Sequence, residues 1–344
     1  MEQQDILSMT LPELQAAVQE LSEPKFRAKQ IFNWLHQKRV TDFSEMTTLS
    51  LPFRERLASD FCINRLKIAK RLASSVDDTV KYLYELPDGN YVETVCMQYP
   101  HGTSLCISTQ VGCRMGCRFC ASAIAGFVRN LTPAEMLLQI YETERAQNCK
   151  ISSLVLMGIG EPLDNFDNVL RFLQLLSDPN GYGMSLRHVT VSTCGVVPKI
   201  LELAEQRLGL TLSVSLHCPN DAGRSAIMPI NRSYPIDVLL DACQTYFEKT
   251  GRRVTFEYAV MEQVNSAEQD AAALAERLKG LHAHVNLIPI NPVKERNFHT
   301  LKKTVLQFQK TLERYGIPAT IRRTLGSDIE AACGQLRRDA IQQT

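Results

Sequence analysis

Three cysteines fall within eight residues, as Cys113-x3-Cys117-x2-Cys120. Thiolates spaced this closely form a nest for a soft metal ion or an iron–sulfur cluster. Structural zinc usually takes four ligands, arranged as two Cys or His pairs with a longer spacer, and no second pair lies nearby. Three ligands on a cubane cluster leave one iron open to a small molecule. A zinc site and three metal-free buried thiols remain as alternatives. Gly112 and Gly116 allow the loop to wrap closely. A second loop, Gly158-Ile159-Gly160-Glu161-Pro162, presents bare backbone and one carboxylate. Ser192, Ser215, His217 and Asn291 are polar residues at the ends of apolar runs, and each also reads as an ordinary satisfied loop residue.

The elements that must hold these loops follow from periodicity. Short apolar runs at 105–108, 154–157, 189–192, 210–215, 254–258 and 285–288 alternate with helical stretches near 133–146, 165–176, 198–206, 235–250, 267–279 and 301–315. A last strand is expected over 319–323. Repeated strand–helix units with short loops mean parallel strands joined by right-handed crossovers. Six such units predict an α/β fold, an open partial (β/α)6 barrel. Chemistry in such a barrel belongs at the C-terminal ends of the strands, where the loops above fall. The first 95 residues read differently. Helices are expected at 11–21, 24–38 and 52–61, then two strands at 80–86 and 91–97 around the turn Pro87-Asp88-Gly89-Asn90. The expected division is a small N-terminal helical accessory domain with linking strands, 1–95, and a barrel, 96–344.

The 344 residues include 38 Lys or Arg and 37 Asp or Glu, a net charge of +1. Apolar residues make up 44% and charged residues 22%, ordinary for a globular chain. No apolar run approaches membrane-spanning length. The first ten residues carry two acids and no base, so no signal peptide is expected. Eleven cysteines, an odd number, predict reduced thiols and a cytoplasmic setting. The near-zero charge argues at first against a nucleic-acid partner. Between Pro24 and Arg71, however, eleven Lys or Arg stand against four acids, a balance of +7, so the remainder carries −6. A basic segment of this kind suits RNA phosphates, with Lys25, Arg27, Lys29 and Arg71 as candidate contacts; solvated helix faces are the plainer reading.

The cysteine spacing, with Phe119 before the last Cys, resembles the radical S-adenosylmethionine (SAM) enzymes. The resemblance implies a [4Fe-4S] cluster on Cys113, Cys117 and Cys120, with SAM on the open iron through its amino and carboxylate groups. One electron then cleaves SAM to methionine and a 5′-deoxyadenosyl radical. Glu161 would accept from the SAM ammonium, and the strand-end residues would hold its ribose and carboxylate. The implied SAM contacts are Gly160, Glu161, Ser192, Ser215, Leu216, His217 and Asn291.

Further motifs narrow the resemblance. Pro24–Gln30, Ser108–Cys113, Met157–Pro162, Ser215–His217, Met228–Asn231 and Gly326–Leu336 together resemble the RNA adenine-C2 methyltransferases of that superfamily, over nearly the whole chain. The family's substrates are an adenine of 23S rRNA in the peptidyl-transferase region and adenine 37 of several tRNAs. C2 of adenine is electron-poor and cannot attack a SAM methyl, whereas a thiolate can. By resemblance, one SAM methylates Cys333 and a second supplies the radical that takes hydrogen from the S-methyl group, so two SAM are used per turnover. The carbon radical adds to C2, Glu93 accepts the C2 proton, and Cys106 attacks Cys333 to form a transient disulfide and release RNA. A flavodoxin-type electron donor and a monomeric enzyme are expected. Cys194 and Cys218 stand where the family has Ser and Ala. The nearest alternative is the C8-methylating, resistance-type enzyme of the same family. From another class, an iron–sulfur or zinc RNA-binding module accounts for the cysteine loop but not for Cys106 and Cys333.

Overall fold

The computed structural model describes residues 3–124, 126–290 and 298–329. Its first unit contains α1 (Leu11–Glu20), α2 (Phe26–Asn33) and α3 (Leu51–Asp60), tied by a short parallel pair, β1 (Gln4–Asp5) with β2 (Phe61–Cys62). An antiparallel ribbon follows: β3 (Lys67–Ala73), β4 (Val80–Glu85) and β5 (Tyr91–Tyr99), leading to β6 (Gly102–Cys106). A small hairpin-like pair, β7 (Gln110–Gly112) with β8 (Phe127–Asn130), brackets the cysteine loop. The rest alternates: α4 (Pro133–Gln147), β9 (Ile151–Leu156), α5 (Phe166–Ser177), β10 (Val189–Thr193), α6 (Val197–Glu205), β11 (Thr211–Ser215), α7 (Asp221–Ile227), α8 (Ile236–Thr250), β12 (Val254–Val260), α9 (Glu268–Leu278), β13 (Ala283–Pro289), α10 (Lys302–Arg314) and β14 (Ala319–Ile321).

Ten strands share one sheet in the order β14-β13-β12-β11-β10-β9-β6-β5-β4-β3. β6 and β9 to β14 are parallel, with helical crossovers between successive strands. This is the partial (β/α)6 barrel that the alternation predicts. Local chemistry sets the joints. Pro133 opens α4 behind Thr132, whose hydroxyl accepts from the Glu135 N–H, while the Glu135 carboxylate accepts from the Thr132 N–H. Asn148, in the left-handed region, ends the same helix.

The strands alternate strictly. Val191, Leu212, Val214, Phe256, Val285 and Leu287 point outward into the helix layer and join the main core. The opposite face is polar and in register: Ser192 pairs with Ser213, Ser215 with Glu257, and Glu257 with Asn286. A polar inner face on an open barrel is a surface built for a ligand rather than for packing.

The N-terminal helices do not stand apart. Leu14, Ile31, Phe53 and Leu57 belong to the same core cluster as Leu137, Tyr141 and Phe172 of α4 and α5. The division expected at residue 95 falls inside β5, a strand of the common sheet. β3 was not anticipated. Its residues are almost all exposed, and it pairs only with β4, so the basic stretch Lys67-Ile68-Ala69-Lys70-Arg71 is an edge strand and not a helix face. Among the described residues no helix is long and apolar enough to cross a membrane.

Candidate active site

A cavity of about 290 Å³ opens at the C-terminal ends of the parallel strands. Its wall contains Cys113, Cys117 and Cys120 from one loop, Gly160 and Glu161 from the next, and Ser192, Ser215 and His217 from the two after that. These eight residues, distant in sequence, line one cavity.

The cysteine loop springs from the β7–β8 pair. At its neck Gly112 has φ +80°, and a Cβ there would lie 1.8 Å from the Gly126 carbonyl oxygen, so only glycine closes the neck. Burial, and then the neighbouring acidic groups, push the Cys113 thiol up to about 12, and burial drives Cys117 the same way. Among the described residues no three His, Cys, Asp or Glu side chains are drawn into a metal-binding set. The donors still fit an iron–sulfur cluster by number and softness, on a shared cavity wall. Burial holds Cys113 and Cys117 as thiols until a metal displaces the protons.

Glu161 is buried at the mouth of β9. One carboxylate oxygen accepts from the Leu163 N–H (3.1 Å) and the other from the Cys194 N–H (2.7 Å), tying the β9 loop to the β10 loop. Its pKa is raised because burial outweighs these bonds. Gly160 has φ +111°, and a Cβ there would meet Gln110 Cβ at 2.6 Å. The Gln110 side chain in turn accepts from the Glu161 N–H (2.8 Å) and donates to Asn130 and Asp164, so the glycine lets the two loops seat together.

His217 sits in the left-handed region at φ +58°. Its Nδ1 accepts from the Ala259 N–H at 2.9 Å, which puts the ring proton on Nε2. Burial pushes its pKa down to about 3, so the ring is neutral and donates only through Nε2. The ring meets Phe119 edge-on at 4.7 Å, joining the cysteine loop to the β11 loop.

This combination of cavity and loops coincides with what comparison finds. Residues 4–63 match the family model "Ribosomal RNA large subunit methyltransferase N-terminal domain", and residues 107–275 match "Radical SAM superfamily". The chain is 50% identical over 344 residues to a protein of Lachnoclostridium phytofermentans named "Probable dual-specificity RNA methyltransferase RlmN", covering 99% of this chain and 96% of that protein. The chain belongs to the RlmN family of radical SAM RNA methyltransferases. A second relative so named, from Clostridium novyi, is 48% identical over 339 residues, covering 98% of this chain and 99% of the relative. A solved radical SAM methyltransferase from Sphaerobacter thermophilus superposes with a TM-score of 0.92 at 40% identity, covering 96% of this chain and 98% of that one. Membership in this RlmN family implies an iron–sulfur cluster and SAM.

Other expected RlmN-family residues are placed as follows. Cys106, buried at the end of β6, packs with Val95, Met97 and Met157, and Met157 lines the cavity. Glu93 lies on the same face of β5 as Val95, the cross-strand partner of Cys106. It is not a solvated strand charge: it pairs with Lys81 at 2.8 Å, both side chains being buried. Leu216 lies between the cavity-lining Ser215 and His217. Its side chain is in the main core, its N–H donates to the Glu257 carbonyl and its own carbonyl accepts from Arg224, because strand alternation turns it away from the polar face. Asn291 and Cys333 lie outside the described residues. Lys25, Lys29 and Arg71 are exposed, whereas Arg27 is half-buried and engaged with Gln30 and the Thr48 carbonyl.

Two site residues escaped the sequence reading. Glu257 lines the cavity and is buried, accepting from Ser213 (2.7 Å) and Asn286 (2.9 Å). The signal was the alternation Thr255-Phe256-Glu257-Tyr258, which places the carboxylate inward. Arg224, fully buried on α7, donates to the carbonyls of Cys194 (2.7 Å), Ser215 (3.1 Å) and Leu216 (3.2 Å) and to Asn231 (2.9 Å). It thereby sets the β10 and β11 loops and the segment against which Cys117 and Phe119 pack. Arg224→Met is expected to destabilise the fold by about 3 kcal/mol, since the Cys194, Ser215 and Leu216 carbonyls and the Asn231 side chain all lose a buried charged donor. The check is the urea unfolding midpoint at unchanged slope; an unmoved midpoint refutes the role.

Proposed function

We propose that the chain methylates C2 of adenine in 23S rRNA and in tRNA, through a methylated Cys333 and two SAM per turnover. The observation that carries this is the adjacency of the cavity to Cys106 through Met157, with Glu93 on the same face of β5 as Val95, the cross-strand partner of Cys106. When bound, the cluster with SAM supplies a hydrogen-abstracting radical. Cys113, Cys117 and Cys120 hold the cluster. Gly160, Glu161, Ser192, Ser215, His217 and Asn291 hold SAM, with neutral His217 donating from Nε2.

The chain's own residues do the rest. The Cys333 sulfur accepts a methyl group, loses one hydrogen from it and carries the carbon to C2. Glu93, kept beside the Lys81 ammonium, is an acceptor for the C2 proton. Once one electron of the adduct has passed to the cluster and the C2 proton to Glu93, the Cys106 thiolate would attack the Cys333 sulfur, forming the disulfide, and the carbon released from that sulfur would take a proton to become the methyl group of the freed base. The target base must leave its stack, so the surrounding RNA is gripped by charge: Lys25, Lys29 and Arg71, with Arg27 bracing the helix. A flavodoxin-type donor, a cytoplasmic setting and a monomeric enzyme complete the reading. The two-RNA specificity rests on the name its relatives carry.

The test is mass-spectrometric mapping of the methyl group on 23S rRNA and tRNA treated with the reconstituted enzyme. Methyl at C2 of both is expected. Methyl only at C8 replaces this reading with the resistance-type activity, and no 5′-deoxyadenosine at all leaves an RNA-binding module.

A further inference from the structure

After β14, at one edge of the sheet, the chain does not return to the helix layer. It crosses the barrel toward the opposite edge. Leu325 packs into the small cluster of Val95, Met97 and Cys106. Three residues on, the Asp328 carboxylate accepts from the Ser74 hydroxyl (2.6 Å), the Ser75 N–H (2.7 Å) and the Ser75 hydroxyl (2.8 Å). Between them the Gly326 N–H donates to Asp77 at 2.9 Å. Ser74 to Asp77 form the turn between β3 and β4, about 250 residues earlier in sequence. The bonds from Ser74 and Ser75 hold the Asp328 carboxyl down at about 2, so it is an ionised acceptor throughout the working pH range.

We propose that this contact is a latch, in which the Ser74–Asp77 turn and Asp328 hold the C-terminal strap so that the segment bearing Cys333 stays within reach of Cys106. Asp328 is then a positioning residue, and the inference rests on reading Cys333 and Cys106 as carrier and resolver. Cys333 lies five residues beyond Asp328, so it reaches at most about 17 Å from the latch. Counted from Leu325, which is already packed beside Cys106, the tether is eight residues. Effective concentration falls roughly as the −3/2 power of tether length, so the shortening to five residues alone raises it about twofold. Orientation adds to this.

The test uses reconstituted holoenzyme carrying Asp328→Ala, Asp328→Asn, the double change Ser74→Ala with Ser75→Ala, and all three alanines together. In Asp328→Ala, kcat for RNA methylation is expected to fall about twofold or more, with KM for RNA unchanged. More 5′-deoxyadenosine should form per methyl transferred, because the radical is still made but the acceptor is misplaced. The Ser75 and Gly326 amides should exchange hydrogen faster. Asp328→Asn, which keeps one acceptor oxygen, should recover part of the loss, and the triple variant should be no worse than Asp328→Ala. Wild-type kcat and coupling in Asp328→Ala overturn the latch, as does full additivity in the triple variant. A Cys333→Ala control separates the two layers. If that control still methylates RNA, the carrier reading falls and the latch's purpose with it; if it is inactive while the latch variants behave as wild type, the latch alone falls.

Discussion

Cys333→Ala is expected to yield no methylated RNA, a loss on the order of 1,000-fold or more, as for removal of a covalent nucleophile. Cys106→Ala is expected to give a different failure: enzyme covalently joined to RNA, seen as a slow-migrating band that persists under denaturation. The contrast follows from placement. Cys106 is buried between β5 and the Met157 corner of the cavity, on the face that also carries Glu93. From there it can reach a sulfur delivered by the strap, whose Leu325 already touches the same cluster. Alanine fits that apolar pocket, so the variant should fold and load cofactor. Product formation by Cys333→Ala, or only free RNA from Cys106→Ala, would remove the corresponding role.

Cys117→Ala should purify with little iron and cleave no SAM. Loss of a direct ligand exceeds the 10–100-fold that removal of an outer-shell partner typically costs in metal affinity, so a fall of more than about 100-fold is expected. Cys117 packs with Met115, Phe119, Ile227 and Met228, and alanine at this half-buried position leaves the barrel's main core untouched. Iron content, visible absorbance and 5′-deoxyadenosine report the outcome. Full iron with normal SAM cleavage would remove Cys117 from the ligand set, and stoichiometric zinc in the wild-type protein would favour the binding-module alternative.

Much of the scaffold is legible in the chain because it depends on local pattern. The helices of the barrel fall within a residue or two of their expected bounds, since Pro133, Pro198, Pro235 and the apolar stripes mark their starts and faces. Other elements are not legible, β3 and α7 among them. β3 has no apolar alternation, being exposed along its length and held by backbone bonds to β4, so its sequence shows only charge. The seven-residue α7 contains Gly223 and owes its position to the Asn220 cap and the buried Arg224 anchor, which act only once neighbouring loops are in place.

The site divides in the same way. The cysteine spacing and the Gly-Glu-Pro turn are local, so their chemistry is readable in the sequence. Burial and partnership are not. Glu93 on its own reads as a solvated charge, and only the pairing of β4 with β5 brings Lys81 against it. Leu216 sits within a motif, yet strand alternation sends its side chain to the core. The net charge of +1 averages a basic N-terminal segment with an acidic remainder, and the structure refines it further. Arg39, Arg56 and Arg65 are spent on Glu144, Glu23 and Glu142, while Lys25, Lys29, Lys67, Lys70 and Arg71 stay exposed.

The sequence by itself determined the barrel and the loop that gathers three cysteines, because these follow from residue type and short-range spacing. The tertiary structure decided which carboxylates face the cavity and which lysine pairs with Glu93. It also decided that the strap before Cys333 is held to a turn near the other end of the chain, a contact across the sheet that no local signal encodes.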